Sequence, residues 1–175
     1  NSLSLLWPVE GMANLSFHDA PPGPLNHCQI SGADDLELVL DLGHQPLCDS
    51  LLSSEDLDKP EQTFPLRILR SKSLGHSQLD FVVEPRDVFH SGYPYRCGVT
   101  QEVVQHHTDL AAFCISSLHL GEGDFVVDIG SNDGTLLSGF KGAGMKVLGV
   151  EPTDVADYAV ERNSIPSIKR FFTED

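Results

Sequence analysis

The sequence predicts an α/β protein in which a small β-rich module precedes a βαβαβ run. Two patterns carry that expectation. From Cys28 to Pro85 the apolar residues come in short runs cut by turn formers, the signature of strands. After about residue 99 strand-length apolar runs alternate with segments of helical period, which implies a parallel sheet with right-handed crossovers. Of the 175 residues 40% are hydrophobic, enough for a packed core.

Residues 1–24 read as a poorly ordered leader, with Met12 a candidate natural start and Pro21-Pro22-Gly23-Pro24 unable to continue a helix or a central strand. Residues 25–98 read as the β-rich module. Leu36 to Leu42 alternates as a strand that Gly43 ends, and Phe64 to Arg70 and Gln78 to Val83 are two more. Ser53 to Glu61 is a polar, acidic loop, and Asp87 to Tyr95 a connector. Residues 99–175 read as the alternating part. Val103, Leu110, Cys114 and Leu118 recur at helical spacing over 100–118, with Thr100 as N-cap and Glu102 in the first turn. His107 lies on that stripe as a packing residue. Asp124 to Ile129 reads as a strand buried on both faces. Thr135 to Lys141 is a helix closed by Gly142 and Gly144, Met145 to Val150 a strand, Asp154 to Arg162 a helix capped by Thr153 or Asp154, and Ile165 to Phe172 a third strand interrupted by Pro166.

Charge narrows the function classes. Lys+Arg number 11 against 26 Asp+Glu, a net charge of −15, which repels phosphodiester backbones and excludes a general nucleic-acid binder. No apolar run is long enough to span a bilayer, and Asn1 to Trp7 lacks the basic start of a secretory signal. Asn14-Leu15-Ser16 fits a glycosylation sequon by chance spacing. Cys28, Cys48, Cys97 and Cys114 form no Cys-x-x-Cys pair and read as reduced thiols of a cytoplasmic protein.

The chemistry is concentrated in Asp128-Ile129-Gly130-Ser131-Asn132-Asp133-Gly134-Thr135 and, at the end of the next strand, Val150-Glu151. Glycines let the chain turn sharply from strand to helix and let a ligand approach the backbone. Glu151 is placed to accept ribose hydroxyls. A dinucleotide pyrophosphate needs a Gly-x-Gly-x-x-Gly turn with bare amides. Here Asn132 replaces the middle glycine, and Asp128 and Asp133 would repel phosphate. S-adenosylmethionine, which carries a sulfonium and an ammonium but no phosphate, suits acids beside the loop, so it is expected ahead of NAD. The cofactor residues are Asp128, Gly130, Ser131, Asn132, Asp133, Gly134, Glu151 and the adjoining Pro152.

These residues, with Val39 to Leu47, Phe64-Pro65-Leu66-Arg67, Gln78-Leu79-Asp80, Tyr93-Pro94-Tyr95-Arg96, Gly149-Val150-Glu151-Pro152 and Phe171-Phe172-Thr173, carry a resemblance. From about residue 27 onward the chain resembles the S-adenosylmethionine-dependent methyltransferases that have an N-terminal zinc-binding domain, among them the C-methyltransferases of deoxysugar biosynthesis. The resemblance implies an incomplete Rossmann-like sheet, transfer of methyl to a carbon beside the ketone of a nucleotide-linked keto-deoxysugar, and Tyr93 and Tyr95 at the acceptor pocket as catalytic residues. The family's Tyr-His-Glu-His type segment, a candidate source of the base, would lie beyond Asp175, so the chain reads as an N-terminal part with no activity by itself. A non-catalytic binding or scaffold module derived from the family is the alternative. The family's zinc site uses two Cys-x-x-Cys pairs. Here they read Cys28-Gln29-Ile30-Ser31 and Ser71-Lys72-Ser73-Leu74, so no zinc is expected, even with His27 and His76 nearby.

Overall fold

The structure is a computed structural model, described here for residues 21–173. Its strands form three small sheets, two antiparallel and one parallel. The chain divides into two units: Leu52–Pro85 with the described residues up to Cys48, and Asp49–Leu51 with the described residues from Arg86 onward.

The first unit holds β1 (Gly23–Pro24), β2 (Leu36–Pro46), β3 (Thr63–Ser71), β4 (Ser77–Leu79) and β5 (Phe81–Val82). β2, β3 and β4 form an antiparallel sheet in that order, and β1 pairs with β5. Most of the expected leader, residues 1–20, lies outside the described residues. Its last residues, Gly23 and Pro24, pair with Val82 and Phe81 in a two-stranded ribbon, an edge position that proline tolerates. Gly43 does not end β2. With φ at +70° it absorbs a register shift between Asp41 and His44, and pairing continues to Pro46 opposite Thr63. The expected strand over 78–83 is broken at Asp80, whose buried carboxylate lies 2.6 Å from Nη2 of Arg67, so β4 and β5 join different sheets. The 53–61 loop is organised by Asp56, which accepts from Ser53 Oγ at 2.5 Å and pairs with Lys59 at 2.8 Å.

The elements from residue 85 on are α1 (Pro85–Val88), a 3-10 turn (Cys97–Val99), α2 (Gln101–Leu118), β6 (Phe125–Ile129), α3 (Thr135–Gly142), β7 (Lys146–Val150), α4 (Val155–Asn163) and β8 (Ser167–Ile168). β6, β7 and β8 are parallel neighbours in that order. Thr100 occupies the N-cap of α2 with extended backbone but its hydroxyl makes no cap bond, and His119, left-handed at φ +54°, closes the helix. The buried position of α2 is Ala111, with Cys114 and Ile115 beside it, whereas Leu110 and Leu118 of the expected stripe are exposed. Those residues pack with Leu137, Phe140, Met145, Val147, Ala159 and Ile165 as the core of this unit. The expectation that β6 is buried on both faces holds for one face only. Val126 packs on the core, while the alternate residues Phe125, Val127 and Ile129 are 60%, 45% and 57% exposed. The third strand reduces to two residues, because Ile165 is buried ahead of it and Pro166 uses its carbonyl to accept from Gly149 N.

Candidate functional site

At the C-terminal end of β6 the chain turns into α3 through three left-handed residues, Gly130 (φ +78°), Asn132 (φ +51°) and Gly134 (φ +76°). The N–H groups of Gly130 and Ser131 donate to the carbonyl of Val150, at 2.8 and 3.2 Å, which ties the loop to the end of β7. The glycines differ in purpose. A Cβ at Gly134 would come 2.8 Å from Ile165, whereas a Cβ at Gly130 would point into open space. The first is there for packing, and the second leaves room at the strand end.

Three buried side chains hold the loop. Glu151 accepts from Asn132 N (3.0 Å) on one oxygen and from Thr153 N (3.0 Å) and Oγ1 (2.7 Å) on the other. Asp133 accepts from Thr135 N (3.1 Å) and Oγ1 (2.6 Å), at the first residue of α3, on one oxygen, and from Gly98 N (2.8 Å) on the other. Asn132 accepts from Cys97 N (2.9 Å) and donates to the carbonyl of Tyr95 (3.1 Å). The loop is therefore clasped to residues 95–98. Gly98 is required there, since a Cβ would meet an Asp133 carboxylate oxygen at 2.8 Å.

The electrostatics are those of an acidic enclosure. Burial, foremost, and the charge of Glu151 hold the Asp128 carboxyl above the usual range, against the lowering influence of His107. Burial and then the charge of Asp133 push the Cys97 thiol up, with Asp128 and Glu151 adding and a hydrogen bond with Tyr95 opposing. The Tyr95 phenol is raised in turn, first by Cys97. Among the described residues no Lys or Arg forms an ion pair with Asp128, Asp133 or Glu151. Ser131 Oγ and His107 Nδ1 are buried with no hydrogen-bond partner among the described residues. Beside the loop opens a cavity of about 510 Å³ lined by Arg96, Gly98, Val104, Asp133, Thr135 and Tyr158. Arg96 sits over the Tyr158 ring at 4.5 Å from its centroid.

The structure brings Asp128, Gly130, Ser131, Asn132, Asp133, Gly134 and Glu151 together at the ends of two adjacent parallel strands. Half-buried Pro152 follows Glu151. Tyr95 reaches the loop through its carbonyl, its side chain next to Cys97, while the Tyr93 ring packs edge-on against Phe89 at 5.5 Å. Sequence reasoning missed Cys97 and Gly98 as site residues, and took Thr153 only as a helix cap and His107 only as packing. The signal present was a glycine, Gly98, two residues before a helix cap, which marks close backbone approach without saying to what.

Two similarities bear on this arrangement. Residues 28–89 match a family model described as "Putative zinc binding domain". The chain is also 34% identical over 153 residues to the C-methyltransferase NovU of Streptomyces niveus, an overlap of 87% of this chain and 36% of that protein. The chain is thus related to a methyltransferase and spans about a third of the length of that curated relative. The residues of the matched module do not fit a zinc ion. Cys28, Ser31, Ser71 and Leu74 offer one thiol and two hydroxyls, and among the described residues no three His, Cys, Asp or Glu side chains are placed to hold a metal. No helix of the described residues is long and apolar enough to cross a membrane.

Proposed function

We propose that the chain carries the cofactor-binding loop of an S-adenosylmethionine-dependent methyltransferase that methylates carbon in a nucleotide-linked keto-deoxysugar. The observation that carries this reading is the convergence of the Asp128, Asp133 and Glu151 carboxylates beside a glycine whose side-chain direction is open, with no basic side chain paired to them. Such a site attracts a cation and repels a pyrophosphate. The cofactor, when bound, supplies an electrophilic methyl group on a positively charged sulfur.

The chain's own residues bind and orient. Gly130 leaves space for the ligand against the backbone, and Glu151, already fixed by Asn132 and Thr153, has one further lone pair, on the oxygen that Asn132 uses, to accept a ribose hydroxyl. The Asp128 carboxyl, held above the usual range by burial, is shifted back down by an approaching cation, which favours its ionised form. The Tyr95 phenol, kept protonated beside Cys97, is a donor for negative charge developing on a ketone oxygen, and Tyr93 is assigned to the acceptor side. The parallel order β6-β7-β8 supports a Rossmann-like sheet, and the similarity to a C-methyltransferase supports the reaction class. The module matched as zinc-binding works in this reading without zinc.

Calorimetric titration of the chain with S-adenosylmethionine and with NAD tests the proposal. Saturable binding of the first and none of the second is expected, and the reverse, or no binding of either, refutes it. The use of both Glu151 oxygens inside the protein favours one second reading, a non-catalytic module of the same family. That module would bind the cofactor yet never pass a labelled methyl group to a keto-sugar nucleotide, even within the longer protein.

A further inference from the structure

Two turns in the first unit have the same backbone pattern. In residues 28–33 the N–H of Gly32 donates to the carbonyl of Cys28 (2.7 Å) and the N–H of Cys28 to that of Ala33 (2.9 Å). In residues 71–76 the N–H of Gly75 donates to the carbonyl of Ser71 (2.8 Å) and the N–H of Ser71 to that of His76 (2.8 Å). Both glycines are left-handed, at φ +70° and +74°. Each turn opens on a fully buried residue, Cys28 or Ser71, and Ser31 and Ser71 both neighbour the Cys28 thiol. The first side chains of the two turns, Cys28 and Ser71, are buried, while Ser31 and Leu74 at the fourth positions are exposed. A thiolate at all four positions would form the closed tetrahedral shell of a structural zinc.

What stands there instead is a hydrogen-bond network closed by Asp35. Its carboxylate accepts from Ser71 Oγ (3.0 and 3.2 Å) and from Ser73 N (2.7 Å), and its carbonyl accepts from Lys72 N (3.3 Å). Ser71 Oγ also accepts from Leu74 N at 3.2 Å.

We infer that the paired turns are a metal cradle converted to a metal-free clasp, in which Asp35, Ser71 and Cys28 hold together what an ion would otherwise hold, while the backbone keeps the repeated turn pattern. The clasp is independent of the cofactor reading, since it concerns only the first unit. The test has three arms on the 175-residue chain. Metal analysis of the purified protein finds zinc far below one per chain, and chelator leaves the melting temperature unchanged. Asp35→Ala lowers the melting temperature by roughly 5–10 °C, and Asp35→Asn, which keeps one acceptor oxygen, by less. The triple variant Ser31→Cys, Ser71→Cys, Leu74→Cys binds one cobalt(II), with the strong visible bands of a tetrahedral thiolate site, and melts higher with zinc than without. One zinc per parent chain, a chelator-sensitive melt, or a folded triple variant that takes up no cobalt would each overturn the inference. If the triple variant does not fold, the parent and Asp35 arms decide the matter.

Discussion

Replacing Glu151 separates the two roles assigned to its carboxylate. In Glu151→Ala the N–H groups of Asn132 and Thr153 and the hydroxyl of Thr153 lose their acceptors in a site where Glu151 is only 5% exposed. The hydroxyl can rotate toward another acceptor, but the amides cannot. Two buried unsatisfied amides cost about 1–3 kcal/mol each, so the variant should lose about 2–6 kcal/mol. In a unit of this size even the lower figure lowers the melting temperature by roughly 8–16 °C. Glu151→Gln keeps an oxygen for Thr153 but turns an NH2 donor toward the Asn132 N–H, leaving one amide orphaned at about 1–3 kcal/mol. Scanning calorimetry should therefore rank parent above Gln above Ala. S-adenosylmethionine titrated below the melting range of Glu151→Gln should bind at least tenfold more weakly than to the parent. A Glu151→Ala melt within two or so degrees of the parent would refute the assignment of the loop's anchor. An unchanged affinity in folded Glu151→Gln would refute its contact with the cofactor.

Two further outcomes follow from the same geometry. Because the folded Asp128 carboxyl titrates above its unfolded value of 3.8, the folded chain binds more protons within that window. Stability attributable to this group is then greatest below pH 3.8 or so and falls as pH rises through the folded value. Melting temperature followed against pH should show Asp128→Asn gaining on the parent as pH rises through the window, and a gap that does not change with pH would exclude the burial effect. Gly134→Ala combines a left-handed alanine, costing about 1–2 kcal/mol, with a Cβ driven against Ile165, costing about 1–3 kcal/mol. A loss of about 2–5 kcal/mol in chemical denaturation is expected, and Gly130→Ala, strained but unobstructed, should lose less.

The order of elements was legible because it depends on local period. The stripe over 100–118 became α2 within a residue at its start, and the loop after β6 turned where its glycines allowed. Local reading failed where a distant residue intervened. Gly43 looked like a stop, but β3 continues pairing past it, and Asp80 looked like part of a strand, but Arg67 holds its side chain. The same holds at the site. Acids and glycines in one loop were visible, whereas the clasp on residues 95–98 spans 35 to 37 positions and leaves no periodic trace. The helix stripe was misplaced toward Leu110 and Leu118 because spacing alone cannot tell which side of an apolar helix meets the neighbour. Ala111 is buried because it faces Gly139 of α3, where an added Cβ would lie 2.6 Å away.

The clasp on residues 95–98 has a consequence for how the region can vary. Asn132 and Asp133 grip main-chain atoms: the carbonyl of Tyr95 and the N–H groups of Cys97 and Gly98. Such a grip is indifferent to most side chains at 95, 96 and 97, proline at 97 excepted because the N–H there is a donor, and position 98 is constrained further by the lack of room for a Cβ. Side chains at these positions can therefore change while the loop they are fastened to keeps its shape, so the surface they present can drift without the scaffold having to drift with it.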